Sequence, residues 1–205
     1  MARIDDYSNA KKIAVAKLEN YKLKTIAQNS GLTLLDEDTL RVDFLDRAYR
    51  IRYPGFDFED EAKNSKEVPL QEQVLILHYM IGCRSQKATG VWISYREIPG
   101  AAFYFSAFVK RAIDPVKKIF GTNAAGIVNP ALALKGTTIE TGDAGFEFSI
   151  LPKTPMQLIL WEGDDEFPAE ANIVFDEIVG KILSPEDAAW LAGMLVYRLI
   201  AISYR

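Results

Sequence analysis

The sequence predicts an α+β fold in which a mostly antiparallel sheet packs against buried helices within a single domain, residues 1–205. Stretches that alternate apolar and polar residues come in clusters, with helical patterns between the clusters and not after every strand. Hydrophobic residues make up 49% of the 205 residues, which is enough for a sizeable core. No linker rich in proline, glycine or serine interrupts the chain, which favours one domain.

The first cluster of strands follows an N-terminal helix. Apolar residues recur at helical spacing from Tyr7 to Tyr21, and Gly31 is a natural stop for a helix. The polar stretch 57–67 predicts a loop, and Pro69 then opens a helix over 70–81. Apolar side chains nearly surround that helix, so we expect it to be buried. Short strands are predicted at 32–35, 39–45 and 48–53.

The second cluster begins with a strand at 91–95. Pro99-Gly100 closes this strand and starts a helix, which Asp114-Pro115 is expected to interrupt. A cap, a proline and two acids at 184–187 start the last helix, which carries apolar residues on two faces and should be central. Within it, Gly193 should let a neighbour approach closely. A short helix is predicted at 130–134, and strands at 146–151, 156–161 and 171–175.

Composition excludes several classes of protein. One cysteine and one histidine cannot build a disulfide framework, a zinc finger or a self-contained iron–sulfur site, so no metal or cofactor is expected. No apolar run approaches the ~20 residues of a membrane span. The N-terminus has no apolar segment like that of a signal peptide. These absences predict a cytoplasmic protein with no membrane partner.

The charge is distributed unevenly along the chain. Residues 68–139 hold 8 basic and 3 acidic side chains, whereas residues 140–190 hold 2 basic and 12 acidic ones. The two stretches would suit complementary layers of one domain, or an acidic surface that faces a cation or a partner. Because the basic stretch is short and mild, we do not expect nucleic acid as a partner. The oligomeric state is not indicated.

The residue types that most often act in catalysis, histidine and cysteine, occur here at positions that do not favour a catalytic role. His78 falls on the buried helix, where a core or rim histidine is favoured over a general base or a ligand. Cys83 follows five residues later and points elsewhere, so a Cys-His pair is not expected. The spacing from Gly121 to Gly126 resembles a phosphate loop, but the lysine and hydroxyl that follow such a loop are missing. No catalytic residue is assigned.

An acidic run follows a predicted strand end at Trp161. The carboxylates of 162–166 could hold a hard cation such as Mg²⁺ or Ca²⁺. The same Gly-Asp-Asp sequence is also ordinary turn chemistry between two strands, and neighbouring carboxylates on an extended chain do not converge. The turn is the favoured interpretation.

The strongest candidate for a site joins two strand ends. Arg96 lies between a strand and a helix start, where a guanidinium could bind a small anion. Our hypothesis is that Arg96, Tyr104, Trp161 and Asp164 line one cleft, with the arginine holding an anion and the aromatic rings forming a wall. The alternative is a structural ion pair of Arg96 with Glu97 or with the acidic turn.

Several short motifs together carry a family resemblance. They occur at 92–100, 142–144, 151–152, 155, 161–169, 175–176 and 184–187. In this order they resemble DUF3786, a domain of unknown function found largely in anaerobic bacteria and archaea. The resemblance supplies no catalytic residues. Some members of the family carry the domain beside a four-cysteine iron–sulfur module, which this chain with its single Cys83 does not contain.

Three functions remain open at this point. The leading one is a non-catalytic module that binds a small ligand, such as a small anion, or a protein partner. The second is an enzyme that uses Asp164 or Glu166 as a base and Arg96 to hold an anionic substrate. The third, suggested only by the resemblance, is an accessory protein in anaerobic corrinoid or iron–sulfur metabolism.

Overall fold

The computed structural model describes residues 4–62 and 67–205, and its strands form two antiparallel sheets. The predicted α+β class and antiparallel pairing are confirmed. Contacts between residues divide the chain into two units. Unit 1 contains the described residues up to Lys87 together with Leu151–Lys153, and unit 2 contains Ala88–Ile150 and Thr154–Arg205. The assignment of 1–205 to a single domain stays a prediction.

Unit 1 combines helices with a four-stranded sheet in the order β1-β2-β3-β4. Its helices are α1 (Ile4–Leu18), α2 (Leu23–Ser30) and α3 (Leu70–Gly82). Its strands are β1 (Thr33–Leu34), β2 (Thr39–Phe44), β3 (Arg47–Arg52) and β4 (Asp57–Asp60). The single helix expected from about Tyr7 to a stop at Gly31 is wrong, because the chain forms two helices. It leaves helical geometry after Leu18, where the Asn20 side chain donates to the carbonyl of Ala16 at 2.8 Å, and α2 begins at Leu23. Gly31 ends α2 with φ +76°, as predicted.

Strand β4 lies where a loop was predicted at 57–67, and that prediction is wrong for this part. The strand pairs with β3, with Phe58 opposite Ile51 and Asp60 opposite Tyr49. Acids at most of its positions obscure the alternation that marks a strand, and charge is typical of a strand at a sheet edge. Residues 63–66 of the predicted loop lie outside the described residues.

The buried helix α3 organises the core of unit 1. It packs against α1, and most of its residues are buried and none is exposed, as predicted. Two tyrosine hydroxyls are satisfied around it: Tyr49 donates to the carboxylate of Glu72, and Tyr79 donates to the carbonyl of Ser30, each at 2.5 Å. These two hydroxyls are thus held by hydrogen bonds, as burial requires, whereas the buried Oε1 of Gln73 on α3 has no hydrogen-bond partner among the described residues.

Unit 2 builds a five-stranded sheet in the order β5-β9-β8-β7-β6. Its strands are β5 (Trp92–Ser94), β6 (Thr137–Thr138), β7 (Ala144–Ser149), β8 (Pro155–Trp161) and β9 (Glu170–Asp176). Its helices are α4 (Phe105–Phe108), α5 (Asp114–Phe120), α6 (Val128–Ala133), α7 (Val179–Ile182) and α8 (Pro185–Ser203). The strand β6 was not predicted, since two residues are too few to show alternation.

The helix that follows Pro99-Gly100 is not interrupted at Asp114-Pro115, contrary to the prediction. Helix α4 continues through a π-helical segment, Val109–Ile113, directly into α5. Proline has no N–H, so an α-helical bond to the carbonyl of Arg111 cannot form at Pro115 in any case. The chain changes its hydrogen-bonding pattern there without leaving helical geometry.

Helix α8 is buried along only one of its two apolar faces. Ser184 caps it by accepting a hydrogen bond from the N–H of Asp187 at 3.1 Å, as predicted. A Cβ at Gly193 would lie 3.3 Å from the Cβ of Arg111, which confirms the predicted close approach. The second apolar face is not buried toward the C-terminus, where Tyr197 is 58% and Tyr204 74% exposed. The expectation of a helix buried on both faces is therefore wrong for this half.

Candidate functional site

The backbone that presents Arg96 is fixed by a capping box. Tyr95–Glu97 forms a short 3₁₀ turn directly after β5, and the carboxylate of Glu97 accepts a hydrogen bond from the N–H of Ser94 at 2.7 Å. This bond lowers the pKa of Glu97 below its ordinary value. Glu97 is thus used to hold the turn, and within the described ranges it forms no ion pair with Arg96.

The side chain of Arg96 lies on an aromatic ring. Its guanidinium carbon is 3.7 Å from the centroid of the Phe105 ring, which is a cation–π arrangement. No hydrogen bond or ion pair joins this guanidinium to any described residue. A planar guanidinium donates in its own plane, so contact of one face with a ring leaves the N–H donors accessible.

A rigid aromatic cluster supports this arrangement. Tyr95 is buried and stacks on Phe108 with ring centroids 4.2 Å apart, and its hydroxyl donates to the carbonyl of Pro185 at 2.8 Å. Burial raises the pKa of Tyr95 to about 12, so the hydroxyl stays protonated and remains a donor. Phe105 packs beside Tyr95 at 6.4 Å. The ring under Arg96 therefore belongs to a fixed surface.

Tyr104 lies next to this surface and contacts Phe103, which is more exposed. It is half-buried, and its ring meets that of Phe103 edge to face, with the centroids 5.2 Å apart. Phe103 is 87% exposed, the largest fraction among the large apolar side chains that the structure describes. An aromatic side chain so far out of the core is a feature of interaction surfaces.

Asp164 shapes the acidic turn that follows β8. Its Oδ1 accepts hydrogen bonds from the N–H groups of Glu166 at 2.8 Å and Phe167 at 2.7 Å. These bonds lower the pKa of Asp164. The predicted turn chemistry is confirmed. Within the described residues, no group of three or more His, Cys, Asp or Glu could hold a metal ion.

The turn is also tied to neighbouring loops. The carboxylate of Glu162 accepts from the N–H of Ala124 at 3.0 Å, and the N–H of Glu162 donates to Asp143 at 2.7 Å. Gly163 donates to the carbonyl of Gly121 at 2.8 Å, and a Cβ on Gly163 would lie 2.5 Å from the N of Ala169. The shape of the turn is therefore fixed, while its outer side chains stay in solvent.

The predicted site residues come from two strand ends of one sheet. β5 and β8 both run antiparallel to β9, but their carboxyl ends are staggered along it. Ser94 at the end of β5 pairs with Val174, whereas Trp161 at the end of β8 pairs with Glu170, four residues further along. Trp161, the last residue of β8, is exposed there. Across the part of the chain that the structure describes, no hydrogen bond, ion pair or ring contact joins Arg96 to Trp161 or Asp164. A common cleft stays a prediction.

Sequence reasoning missed the buried carboxylate of Asp176, at the end of β9. It accepts hydrogen bonds from the N–H groups of Thr89, Gly90 and Ile178 at 2.7 to 2.9 Å, and from the Thr89 hydroxyl at 3.1 Å. Burial raises its pKa, but the hydrogen bonds outweigh burial and the net shift is downward. The Phe175-Asp176 motif was the available signal for a fixed acid, and its role is structural.

Sequence reasoning also missed the contact of Arg111 with an aromatic ring. It lies in the π-helical segment, and its guanidinium carbon is 4.4 Å from the centroid of the Trp190 ring. Spacing along the chain could not pair these two residues, because α8 follows α4 by more than seventy residues. Within the described ranges this guanidinium, like that of Arg96, forms no ion pair.

Cys83 and His78 belong to unit 1, whereas Arg96 and its aromatic neighbours belong to unit 2. The Cys83 thiol is fully buried, and burial raises its pKa to about 11. A thiol with such a pKa is almost entirely protonated near neutral pH and is a poor nucleophile. His78 is half-buried on α3 and takes part in an interaction of its own.

Three cavities of unit 1 have linings that do not include the predicted site residues. One of 340 Å³ is lined by Arg50, Arg52 and Asp57 among others. Another of 420 Å³ lies along α1 at Lys11 and Lys12. A smaller one of 90 Å³ reaches Cys83.

Comparison with protein families identifies the chain. The model of the domain of unknown function DUF3786 matches residues 22–198, which is most of the 205 residues. The chain belongs to the DUF3786 family. The matched range of this DUF3786 protein contains Arg96, Tyr104, Trp161 and Asp164 as well as the Asp176 corner. No curated protein and no solved structure matches the chain. No described helix is both long and apolar enough to cross a bilayer.

Proposed function

We propose that this DUF3786 protein is a non-catalytic binding module that recognises an anionic group, a carboxylate or a phosphate, through Arg96. The observation that carries the proposal is the guanidinium of Arg96, held 3.7 Å above the Phe105 ring with no carboxylate partner among the described residues. Such a guanidinium is oriented in advance and keeps the donors that match carboxylate and phosphate oxygens. Recognition needs no further chemistry.

Tyr104, Trp161 and Asp164 complete the proposed site. Tyr104 belongs to the aromatic surface beside Arg96, and Trp161 is an exposed ring at the end of β8, which is separated from β5 by β9 in the same sheet. The Oδ1 of Asp164 is engaged by backbone N–H groups, which leaves Oδ2 to orient a polar group of a ligand. We place this module in the cytoplasm, where its single thiol stays reduced.

The geometry gives little support to the alternative function, an enzyme that uses Asp164 or Glu166 as a base. A general base works best with a pKa near the operating pH. The backbone hydrogen bonds of Asp164 lower its pKa below the ordinary carboxyl value, which makes this carboxylate a weaker base. Binding is therefore the function that the geometry supports best.

Calorimetric titration with inorganic phosphate and with succinate tests the proposal. Arg96→Ala should weaken anion binding by about tenfold or more, since a charge-assisted contact is lost. Arg96→Lys should recover part of the affinity, because an ammonium keeps the charge but not the planar fork.

Lys118→Ala is the matched control, since Lys118 is an exposed cation of the same unit on α5. It should leave the affinity unchanged. Equal affinities of the wild type and Arg96→Ala for both anions would contradict the proposal.

A further inference from the structure

The cavity of 340 Å³ in unit 1 lies on the outer face of the four-stranded sheet. Thr39 pairs with Arg52, and Arg52 pairs with Asp57, so these three side chains point to one face in a row across β2, β3 and β4. All three line the cavity. The alternate residues Leu40 and Ile51 are fully buried on the opposite face. The pairing of the strands therefore fixes the floor of the cavity.

Arg52 differs from the other arginines of this sheet. Arg41, Arg47 and Arg50 each bind a carboxylate. The guanidinium of Arg52 has no hydrogen bond or ion pair with any residue that the structure describes, not even with Asp57, its neighbour across the strand pair. Because an arginine keeps its charge at any relevant pH, the cavity contains a permanent cation whose donors are available.

Carboxylates line the same cavity. Glu59 lies two residues after Asp57, on the same face of β4 and opposite Arg50. In the described ranges, neither of these two carboxylates accepts a hydrogen bond. Asp36 lies at the rim, where its Oδ1 accepts from the N–H of Asp38 at 3.0 Å. The carboxylates would repel a simple anion, and the arginines would repel a simple cation.

A ligand with both charges fits this lining. An α-amino acid carries its ammonium and its carboxylate on one carbon. Arg52 and Asp57 are adjacent in the same way, because directly paired residues have Cβ atoms about 5 Å apart. The Thr39 hydroxyl donates to Asp38 at 2.8 Å, which leaves its oxygen to accept from an ammonium.

Size and apolar surface narrow the class of ligand further. The volume of 340 Å³ is near the lower end of the range for small-molecule sites, about 300–1,000 Å³. It suits a molecule of the size of one amino acid. Leu35 lines the cavity and is 44% exposed, so an apolar side chain that covered it would gain free energy.

We propose that this cavity binds a free α-amino acid with an apolar side chain. The carboxylate lies on Arg52, the ammonium on Asp57 and Thr39, and the side chain against Leu35. The site belongs to unit 1 and does not use Arg96, so it is a second site, beyond the anion-binding function.

Calorimetric titration of the full chain with L-leucine and L-phenylalanine tests the proposal. At least one of them should bind saturably, with a dissociation constant below about 1 mM. The N-acetyl derivative lacks the ammonium charge, and the amide lacks the carboxylate. Each derivative should bind about tenfold or more weakly than the free amino acid, because one charge-assisted contact is lost.

Two variants assign the contacts. Arg52→Gln should weaken binding of the free amino acid by about tenfold and leave binding of its amide unchanged, because only the carboxylate contact is removed. Asp57→Asn should do the same for the free amino acid and leave the N-acetyl derivative unchanged. Lys24→Gln on α2 and Glu19→Gln after α1 are matched controls at exposed positions outside the cavity, and neither should change any affinity. This crosswise pattern cannot arise from a variant that merely unfolds.

Three results would each overturn the amino-acid site. These are the absence of saturable binding of both amino acids at about 10 mM, derivatives that bind as tightly as the free amino acids, and an affinity unchanged by Arg52→Gln. The outcome is independent of the anion-binding function. Arg96→Ala should leave amino-acid titrations unchanged, and Arg52→Gln should leave phosphate titrations unchanged, so either function can fail while the other stands.

Discussion

Arginines are used in opposite ways in the two units. On the sheet of unit 1 they meet carboxylates: Arg41 and Arg50 both bind Glu61 at 3.0 Å, and Arg47 binds Asp60. In unit 2, Arg96 and Arg111 lie instead on aromatic rings, at 3.7 and 4.4 Å from the centroids. An ion pair satisfies the donors of a guanidinium, whereas a ring covers only its face.

This difference separates stability from recognition. A carboxylate across the sheet fixes neighbouring strands and leaves the arginine with little to offer a ligand. A stacked arginine contributes little to folding but keeps its charge and its hydrogen bonds available. Removing an ion-paired arginine of unit 1 should therefore lower the free energy of unfolding. Removing a stacked arginine of unit 2 should instead weaken ligand binding.

The largest effect on stability is expected at Arg47. The Asp60 side chain that it binds is only 1% exposed, so Arg47→Ala leaves a buried carboxylate without its cation. We expect a loss of about 3 kcal/mol in the free energy of unfolding, measured with urea. The double variant Arg47→Ala with Asp60→Asn should lose less than the sum of the single changes. A loss below about 1 kcal/mol for Arg47→Ala would show that Asp60 does not depend on this pair.

A smaller effect is expected at Glu61, which joins Arg41 to Arg50. Glu61→Gln should cost about 1 kcal/mol, because the network lies at the surface. The hydrogen bond from Arg41 lowers the pKa of Glu61 from its ordinary 4.5. A lowered carboxyl pKa stabilises the fold above the ordinary value, and this stabilisation is lost as the pH falls through the folded pKa. Urea unfolding between about pH 3 and pH 7 should show the wild type and Glu61→Gln converging at low pH; a constant difference would contradict the prediction.

The smallest effect on stability is expected at Arg96. An exposed cation–π contact is worth about 0.5 kcal/mol, so Arg96→Ala should barely change the free energy of unfolding while it weakens anion binding. Thermal unfolding of the two proteins side by side measures this. A loss as large as that of Arg47→Ala would mean that Arg96 is structural and would remove the contrast between the units.

Much of the fold could be predicted because its signals are local. Gly31, the strands β2 and β3, and the cap at Ser184 are each marked by the spacing or chemistry of a few neighbouring residues. Strand β4 was missed because edge strands tolerate charge, which hides the alternation. The continuous π-helical passage before Pro115 was missed because a proline usually marks a break.

The site was predictable only in part, for a different reason. The turn at Asp164 follows from local sequence, and Arg96 stands out as a cation between a strand and a helix start. The rings beneath Arg96 and Arg111 depend on how elements pack, which the order of residues does not reveal. The four donors around Asp176 come from two segments separated by more than eighty residues, so their convergence also needed the structure.

The short segment Leu151–Lys153 has a consequence for how the chain emerges from the ribosome. The ammonium of Lys153 donates to the carbonyls of Asn29 at 2.5 Å and Arg84 at 2.8 Å, and Pro152 lies against Gly31. Unit 1 therefore receives its last contacts from residues that are made long after Lys87. At about 5–20 residues per second, the nascent N-terminal part waits on the order of ten seconds for Lys153. During that interval the carbonyls of Asn29 and Arg84 lack the ammonium donor that they have in the folded chain.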